Sequence, residues 1–259
     1  MRLKDKVTIV TGAGQGIGNE VARKLGEHGS KIVIADLNEE VASKALDEFE
    51  SAGIEAIFIK TDVADEKDVQ NMIQATVSHY GGVDALVNNA GISFRKSVME
   101  TSLEEWQKLM KVNVQGTFLC SKYAIPEIAK RGGGSIVNVA SWVAYRTITR
   151  LAAYTASKGA ITSLTRQMAL DCGPLKIRVN AVCPGIIDTP MQKNLYADLP
   201  EDAFKQTLDY QPLGRIGTAE DVANACLFLV SDESSYISGD SMMVDGASFV
   251  KLPRPLIFD

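Results

Sequence analysis

Seven short apolar runs recur along the chain, at Val7 to Val10, Lys31 to Ala35, Ala56 to Lys60, Ala85 to Asn88, Ser135 to Ala140, Arg178 to Val182 and Met242 to Val244, with helical segments between them. Runs this apolar, with little polar alternation, have both faces covered, as in parallel strands joined by crossover helices. The pattern predicts an α/β fold with one doubly wound parallel sheet, helices on both faces, and a ligand site beyond the carboxyl ends of the strands. Gly18, Asp36, Asp62, Asn88, Ser141 and Pro184 all fall at or just past such ends. No repeat, low-complexity segment or linker interrupts the alternation, so residues 1–259 read as one domain.

The first run leads into Thr11-Gly12-Ala-Gly14-Gln-Gly16-Ile-Gly18 and then a helix. Glycines allow a tight turn and close backbone approach, and the free N–H groups and dipole at a helix start favour negative charge. This is a pyrophosphate cradle, although Gly12, Gly16 and Gly18 are not spaced as G-x-G-x-x-G. The second run ends in Asp36, eighteen residues beyond Gly18. An acid there accepts from both ribose hydroxyls of a dinucleotide. Its charge repels the extra phosphate of NADP, and neither Gln15 nor Leu37 supplies a cation, so NAD is the expected cofactor. As an alternative, Asp36 caps the helix from Glu39, a role that Asn38 fills equally well.

Tyr154-Thr-Ala-Ser-Lys158 lies thirteen positions beyond Ser141. A tyrosine and a lysine four residues apart share a helix face. A charge about 4 Å from the phenol, at an effective dielectric of roughly 20, contributes about 4 kcal/mol, or roughly three pKa units. That predicts a Tyr154 phenol brought down from about 10 towards neutrality, fit to act as a base.

Taken with Asn88-Asn-Ala-Gly91, Asn113, Asp62-Val63 and Pro184-Gly185, these motifs make the chain similar to the short-chain dehydrogenase/reductase family, from Lys6 to about Phe249. The resemblance implies a Rossmann-type fold and a catalytic group of Asn113, Ser141, Tyr154 and Lys158. Tyr154 exchanges the hydroxyl proton, Ser141 stabilises the substrate oxygen, and Lys158 lowers the phenol pKa and holds the nicotinamide ribose. Asn113 holds a water of the proton relay. It implies an NAD site of Gly12, Gln15, Gly16, Ile17, Gly18, Asp36, Leu37, Asp62, Val63, Asn89, Ala90, Gly91, Tyr154, Lys158, Pro184, Gly185, Ile187 and Thr189. A homotetramer is also implied.

Composition excludes other classes. With 46% hydrophobic and 23% charged residues the chain can bury a large core. A net charge of −5 argues against nucleic-acid binding. No apolar stretch is long enough to cross a membrane, and Met1 to Lys6 lacks the apolar core of a signal peptide, so a cytoplasmic location is expected. Cys120, Cys172, Cys183 and Cys226 show neither zinc nor redox-pair spacing and read as buried free thiols. His28 and His79 each stand near a glycine at an expected helix end, which leaves no histidine triad and no metal site.

Around the catalytic group, Ser141, Trp142, Tyr154, Arg95, Arg146, Arg150 and Met191 are expected to border the substrate. The arginines read either as a clamp for a carboxylate, phosphate or sulfonate or as solvated and subunit-bridging residues. Residues 188–217 resemble a substrate lid. The apolar, proline-bearing tail 250–259 docks either on a neighbouring subunit or back on its own. The leading function is NAD-linked oxidation of a small polar secondary alcohol, such as a sugar, polyol or hydroxy acid. The alternatives are a 3-oxoacyl-carrier-protein reductase, which Asp36 opposes, and a non-catalytic NAD sensor.

Overall fold

All seven apolar runs become strands. The computed structural model describes residues 1–196, 207–209 and 211–251. It places β1 (Val7–Thr11), β2 (Lys31–Asp36), β3 (Ala56–Lys60), β4 (Ala85–Asn88), β5 (Gly134–Val139), β6 (Ile177–Pro184) and β7 (Ser241–Val244) in one sheet. The strand order is β3-β2-β1-β4-β5-β6-β7, and each neighbouring pair is parallel. The order reverses between β1 and β4, where crossovers leave in opposite directions and open a crevice at the strand ends.

Helices α1 (Gly16–Glu27), α2 (Glu39–Ser51), α3 (Glu66–Tyr80), α4 (Leu103–Met110), α5 (Gly116–Lys130), α6 (Ala152–Cys172), α7 (Pro190–Tyr196) and α8 (Ala219–Val230) make the crossovers and covers. Their starts are encoded locally. The Asn38 side chain accepts from Glu40 N–H and Val41 N–H at the start of α2, while Ser102 with Glu105 and Thr218 with Asp221 form capping boxes on α4 and α8. His28 closes α1, and His79 sits in the last turn of α3 before left-handed Gly81.

Both sheet faces are sealed, which explains the unbroken apolar runs. On one face Val10, Ile32, Ile34, Val87, Val137 and Val182 pack with Val21 and Leu25 of α1 and Val222 and Leu227 of α8. On the other, Ile9, Val33, Leu86, Ile136 and Val179 pack with Met72 of α3, Leu119 and Ile128 of α5 and Met168 of α6. Adjacent residues of one strand, such as Ile9 and Val10, thus serve opposite cores. All four cysteines are buried and free.

No helix among the described residues is long and apolar enough to cross a membrane. Residues 197–206 and 210 of the expected lid, and 252–259 of the expected tail, lie outside the described residues.

Candidate active site

The turn after β1 is built around close backbone approach. Gly12 has φ +62°, and a Cβ on it would lie 2.9 Å from Ala90 Cα. A Cβ on Gly18 would lie 2.2 Å from the Gly12 carbonyl oxygen and 2.4 Å from Asn89 Nδ2, so only glycine lets α1 begin there. Asn89 in turn donates to the Thr11 and Gly12 carbonyls at 2.9 and 3.0 Å, and Thr11 Oγ1 accepts from Asn89 N–H and Ala90 N–H at 3.0 and 3.1 Å. These bonds lock the ends of β1 and β4 together at the crevice.

A cavity of about 630 Å³ opens there. Of the residues expected around a dinucleotide, Gly12, Gln15, Gly16, Ile17, Asp36, Leu37, Asp62, Val63, Asn89, Ala90, Gly91 and Thr189 line it, together with Met191. Asp36 Oδ2 accepts from Gly14 N–H at 2.8 Å and Oδ1 from Asn38 N–H at 2.9 Å. Each oxygen keeps a lone pair, so an oriented carboxylate stands ready for ribose hydroxyls. The glycine cradle, the cavity volume and this carboxylate fit a dinucleotide. The walls also include Thr61, Ala64, Ile92, Lys108, Lys111 and Val112, which the sequence reading did not single out. Gly18, Tyr154, Lys158, Pro184, Gly185 and Ile187 are not among the residues lining it; Ile187 is buried, and Gly185 N–H bonds the Val244 carbonyl at 3.0 Å.

Ser141, Tyr154 and Lys158 converge beyond β5. Ser141 Oγ accepts from Val143 N–H at 3.3 Å, opening the short 3-10 turn Trp142–Ala144. Its own hydrogen faces the Tyr154 phenol, whose ionised form it favours. Lys158 is buried, its Nζ 2.7 Å from the Val139 carbonyl oxygen and 5.4 Å from the centroid of the Tyr154 ring.

The electrostatics correct one expectation. Burial pushes the Tyr154 phenol up to about 12, and only the Ser141 hydrogen bond pulls it back. Burial pulls the Lys158 ammonium down from 10.5 to about 8, opposed by the Cys183 thiol. The phenol is therefore held above its ordinary value rather than brought to neutrality, with the Lys158 nitrogen over the ring face.

Asn113 sits in a π-helical turn, Lys111–Gln115, between α4 and α5. Its Oδ1 accepts from Ile92 N–H at 2.8 Å, and its Nδ2 donates to the Ile92 carbonyl and Ser157 Oγ at 3.0 Å each. Ser157 Oγ donates to the Tyr154 carbonyl at 2.8 Å. Asn113 therefore ties the segment after Gly91 to the catalytic helix. Ser157 was visible inside the Tyr154 to Lys158 motif, but nothing in the sequence gave it a role.

Two of the three arginines already have partners. Arg150 pairs with Glu100 at 2.8 Å, and Arg146 Nη1 is spent on the Ser248, Phe249 and Lys251 carbonyls at 3.4, 2.9 and 2.6 Å. Of the two readings of these arginines, this engagement agrees with the one that gives them no anion to hold. Half-buried Arg95 alone has no partner among the described residues, and its neighbour Lys96 bridges to Leu151 at the start of α6. Half-buried Trp142 adjoins Ser141. Among the described residues no group of histidine, cysteine, aspartate or glutamate is arranged to hold a metal.

Residues 12–247 match a family model described as Enoyl-(Acyl carrier protein) reductase. The chain is 40% identical over 245 residues to a 2,5-dichloro-2,5-cyclohexadiene-1,4-diol dehydrogenase of Sphingobium indicum, covering 95% of this chain and 96% of that protein. It is 39% identical over 245 residues to a cyclopentanol dehydrogenase of Comamonas testosteroni, covering 95% and 97%. Among solved structures, a 7α-hydroxysteroid dehydrogenase complexed with NADH and 7-oxo glycochenodeoxycholic acid superposes with a TM-score of 0.90 at 34% identity, covering 95% of this chain and 94% of that one.

Proposed function

Because this chain belongs to the short-chain dehydrogenase/reductase family, we propose that it is an NAD-dependent dehydrogenase of a small secondary alcohol, cyclic by preference, and of the matching ketone in reverse. The observation that carries the reading is the convergence of buried Ser141 and Lys158 with half-buried Tyr154 at the strand ends, in a chain whose crevice carries an oriented Asp36 carboxylate. The relatives named for ring alcohols move the substrate from sugars and hydroxy acids towards rings, and the engagement of Arg146 and Arg150 agrees with an uncharged substrate.

NAD, when bound, accepts the hydride from the alcohol carbon. Tyr154 takes the hydroxyl proton and returns it in the reverse direction. Ser141, whose oxygen is held by Val143 N–H, aims its own hydrogen at the substrate oxygen, where charge develops. Lys158 spends one donor on Val139 and keeps others for the nicotinamide ribose. Asp36 favours the unphosphorylated adenosine ribose, which weighs against the acyl-carrier reductase reading.

The free Arg95 favours one second reading, an alcohol that carries an anionic group. Exposed Phe118 on α5 and Leu170 on α6 support burial against further copies of the chain, consistent with a homotetramer and testable by sedimentation.

The deciding experiment is NADH formation in parallel NAD and NADP reactions against cyclopentanol, cyclohexanol, cyclic diols, aldoses, hydroxy acids and sulfonated alcohols. NAD-linked turnover of ring alcohols is the expected result. Turnover of sulfonated or carboxylated alcohols alone would favour the Arg95 reading. Activity with NADP only would overturn the Asp36 argument, and tight NAD binding with no turnover of any alcohol would favour a sensor.

A further inference from the structure

Arg146 is the half-buried member of an otherwise exposed run, 145–150, between Ser141 and Tyr154. Its Nη1 faces three backbone carbonyls of one short segment, those of Ser248, Phe249 and Lys251, and the Tyr145 ring meets the Phe249 ring edge-on at 6.3 Å. A guanidinium satisfying carbonyls in this way makes charge-assisted hydrogen bonds that a neutral side chain cannot replace.

That segment is a knot of chain. Asp245, directly after β7, accepts from Ala247 N–H and Phe249 N–H at 3.1 and 2.6 Å. A Cβ on Gly185, at the end of β6, would lie 2.8 Å from Asp245, so the knot rests on the strand end beside the catalytic group. It also grips the return of the expected lid. Ser248 Oγ donates to Gln211 Oε1 at 2.6 Å, Lys251 Nζ donates to the Asp209 carbonyl at 2.7 Å, and Leu213 packs 3.7 Å from where a Gly246 Cβ would stand. One turn of chain thus meets the catalytic loop, the lid return and the root of the C-terminal tail, and Arg146 is the charged group joining the first to the other two.

We propose that Arg146 is a positioning residue for the substrate side of the site. Its guanidinium fixes the knot 245–251 against the loop that carries Ser141 towards Tyr154, and through the knot it sets residues 207–209 and 211–217. The reaction so served rests on the dehydrogenase reading above, but the latch itself does not. Loss of the guanidinium releases the tail root and loosens the substrate-facing wall, while Lys158, the catalytic helix held through Asn113 and Ser157, and the NAD cradle, which have their own hydrogen bonds, stay in place.

The test uses the full chain with Arg146→Met and Arg146→Lys. Trypsin cuts after Lys251, whereas Arg254 is shielded by Pro255, so release of residues 252–259 reports the knot directly. In Arg146→Met, cleavage after Lys251 is expected to accelerate about tenfold, the scale of losing one charge-assisted hydrogen bond. The KM for cyclohexanol is expected to rise by a similar factor, with kcat and NAD affinity held within about twofold, and Arg146→Lys is expected to restore part of both losses. Cleavage at the wild-type rate would overturn the proposal. So would a fall in kcat and thermal midpoint at constant KM, the signature of a merely structural residue. If no alcohol is turned over, the dehydrogenase reading fails on its own, and the cleavage rate, read with NAD binding intact, still decides the latch.

Discussion

Replacing Lys158 by methionine should make the protein more stable at neutral pH while removing its activity. Burial lowers the ammonium from 10.5 to about 8, and at roughly 1.4 kcal/mol per pKa unit this means about 3 kcal/mol of destabilisation at pH 7. Below pH 8 the folded and unfolded chains both carry the charge, and the folded chain bears the whole desolvation penalty. Between pH 8 and 10.5 the folded chain has lost its proton while the unfolded chain still holds one, so wild-type stability rises with pH through this window. Above 10.5 neither state is charged and the penalty is gone. Methionine has a similar volume and no charge, but it gives up the bond to the Val139 carbonyl, worth about 1 kcal/mol. The net gain at pH 7 is then about 2 kcal/mol, or a midpoint raised by about 4–8 °C for a chain of this size. Thermal unfolding of both proteins in the absence of NAD, from pH 6.5 to 10.5, measures it. The advantage of methionine should shrink from pH 8 upward, vanish at about pH 10 and turn into a deficit of up to about 1 kcal/mol above it, the lost bond to Val139. A variant less stable than wild type at pH 7, or an advantage independent of pH, would refute the claim that the active site stores a desolvated cation.

Other expectations are as direct. Asp36→Ala should lower kcat/KM with NAD by about 10- to 100-fold, the scale of hydrogen bonds to a charged group, and narrow the gap to NADP in steady-state assays. Gly18→Ala puts a methyl 2.2 Å from the Gly12 carbonyl oxygen; it should lose about 1–3 kcal/mol in urea unfolding and weaken NAD binding measured by fluorescence. Alcohol oxidation should gain up to about tenfold in rate per pH unit between pH 7 and 9, because the phenol, pushed up to about 12, is ionised only in a growing minority. Ketone reduction should show no such gain, and an oxidation profile flat from pH 6 to 9 would exclude Tyr154 as the base.

The sheet was legible in the sequence because parallel strands with two covered faces announce themselves as unbroken apolar runs, as at Val7–Thr11 and Ile177–Pro184. The dinucleotide cradle was legible for a related reason: glycine at positions 12 and 18 is forced by clashes with chain only a turn or one strand away. Roles fixed by distant partners were not legible. Arg146 finds its carbonyls more than a hundred residues downstream, and no local pattern distinguishes it from a solvated arginine. The four-residue spacing puts Tyr154 and Lys158 on one helix face, with Lys158 Nζ over the Tyr154 ring, but spacing carries no information about burial, which here raises the phenol and lowers the ammonium. The π-helical turn at Asn113 was equally silent, since a change of one residue in hydrogen-bond register leaves composition untouched.

The central claim, that Tyr154 exchanges the proton in an NAD-linked alcohol oxidation, is tested most directly by comparing wild type with Tyr154→Phe on cyclohexanol while NAD binding is followed separately. The account predicts unchanged NAD affinity and a rate lowered by about 100- to 10,000-fold, the usual contribution of a positioned acid–base group. A phenylalanine variant that binds NAD and oxidises the alcohol at the wild-type rate would contradict it.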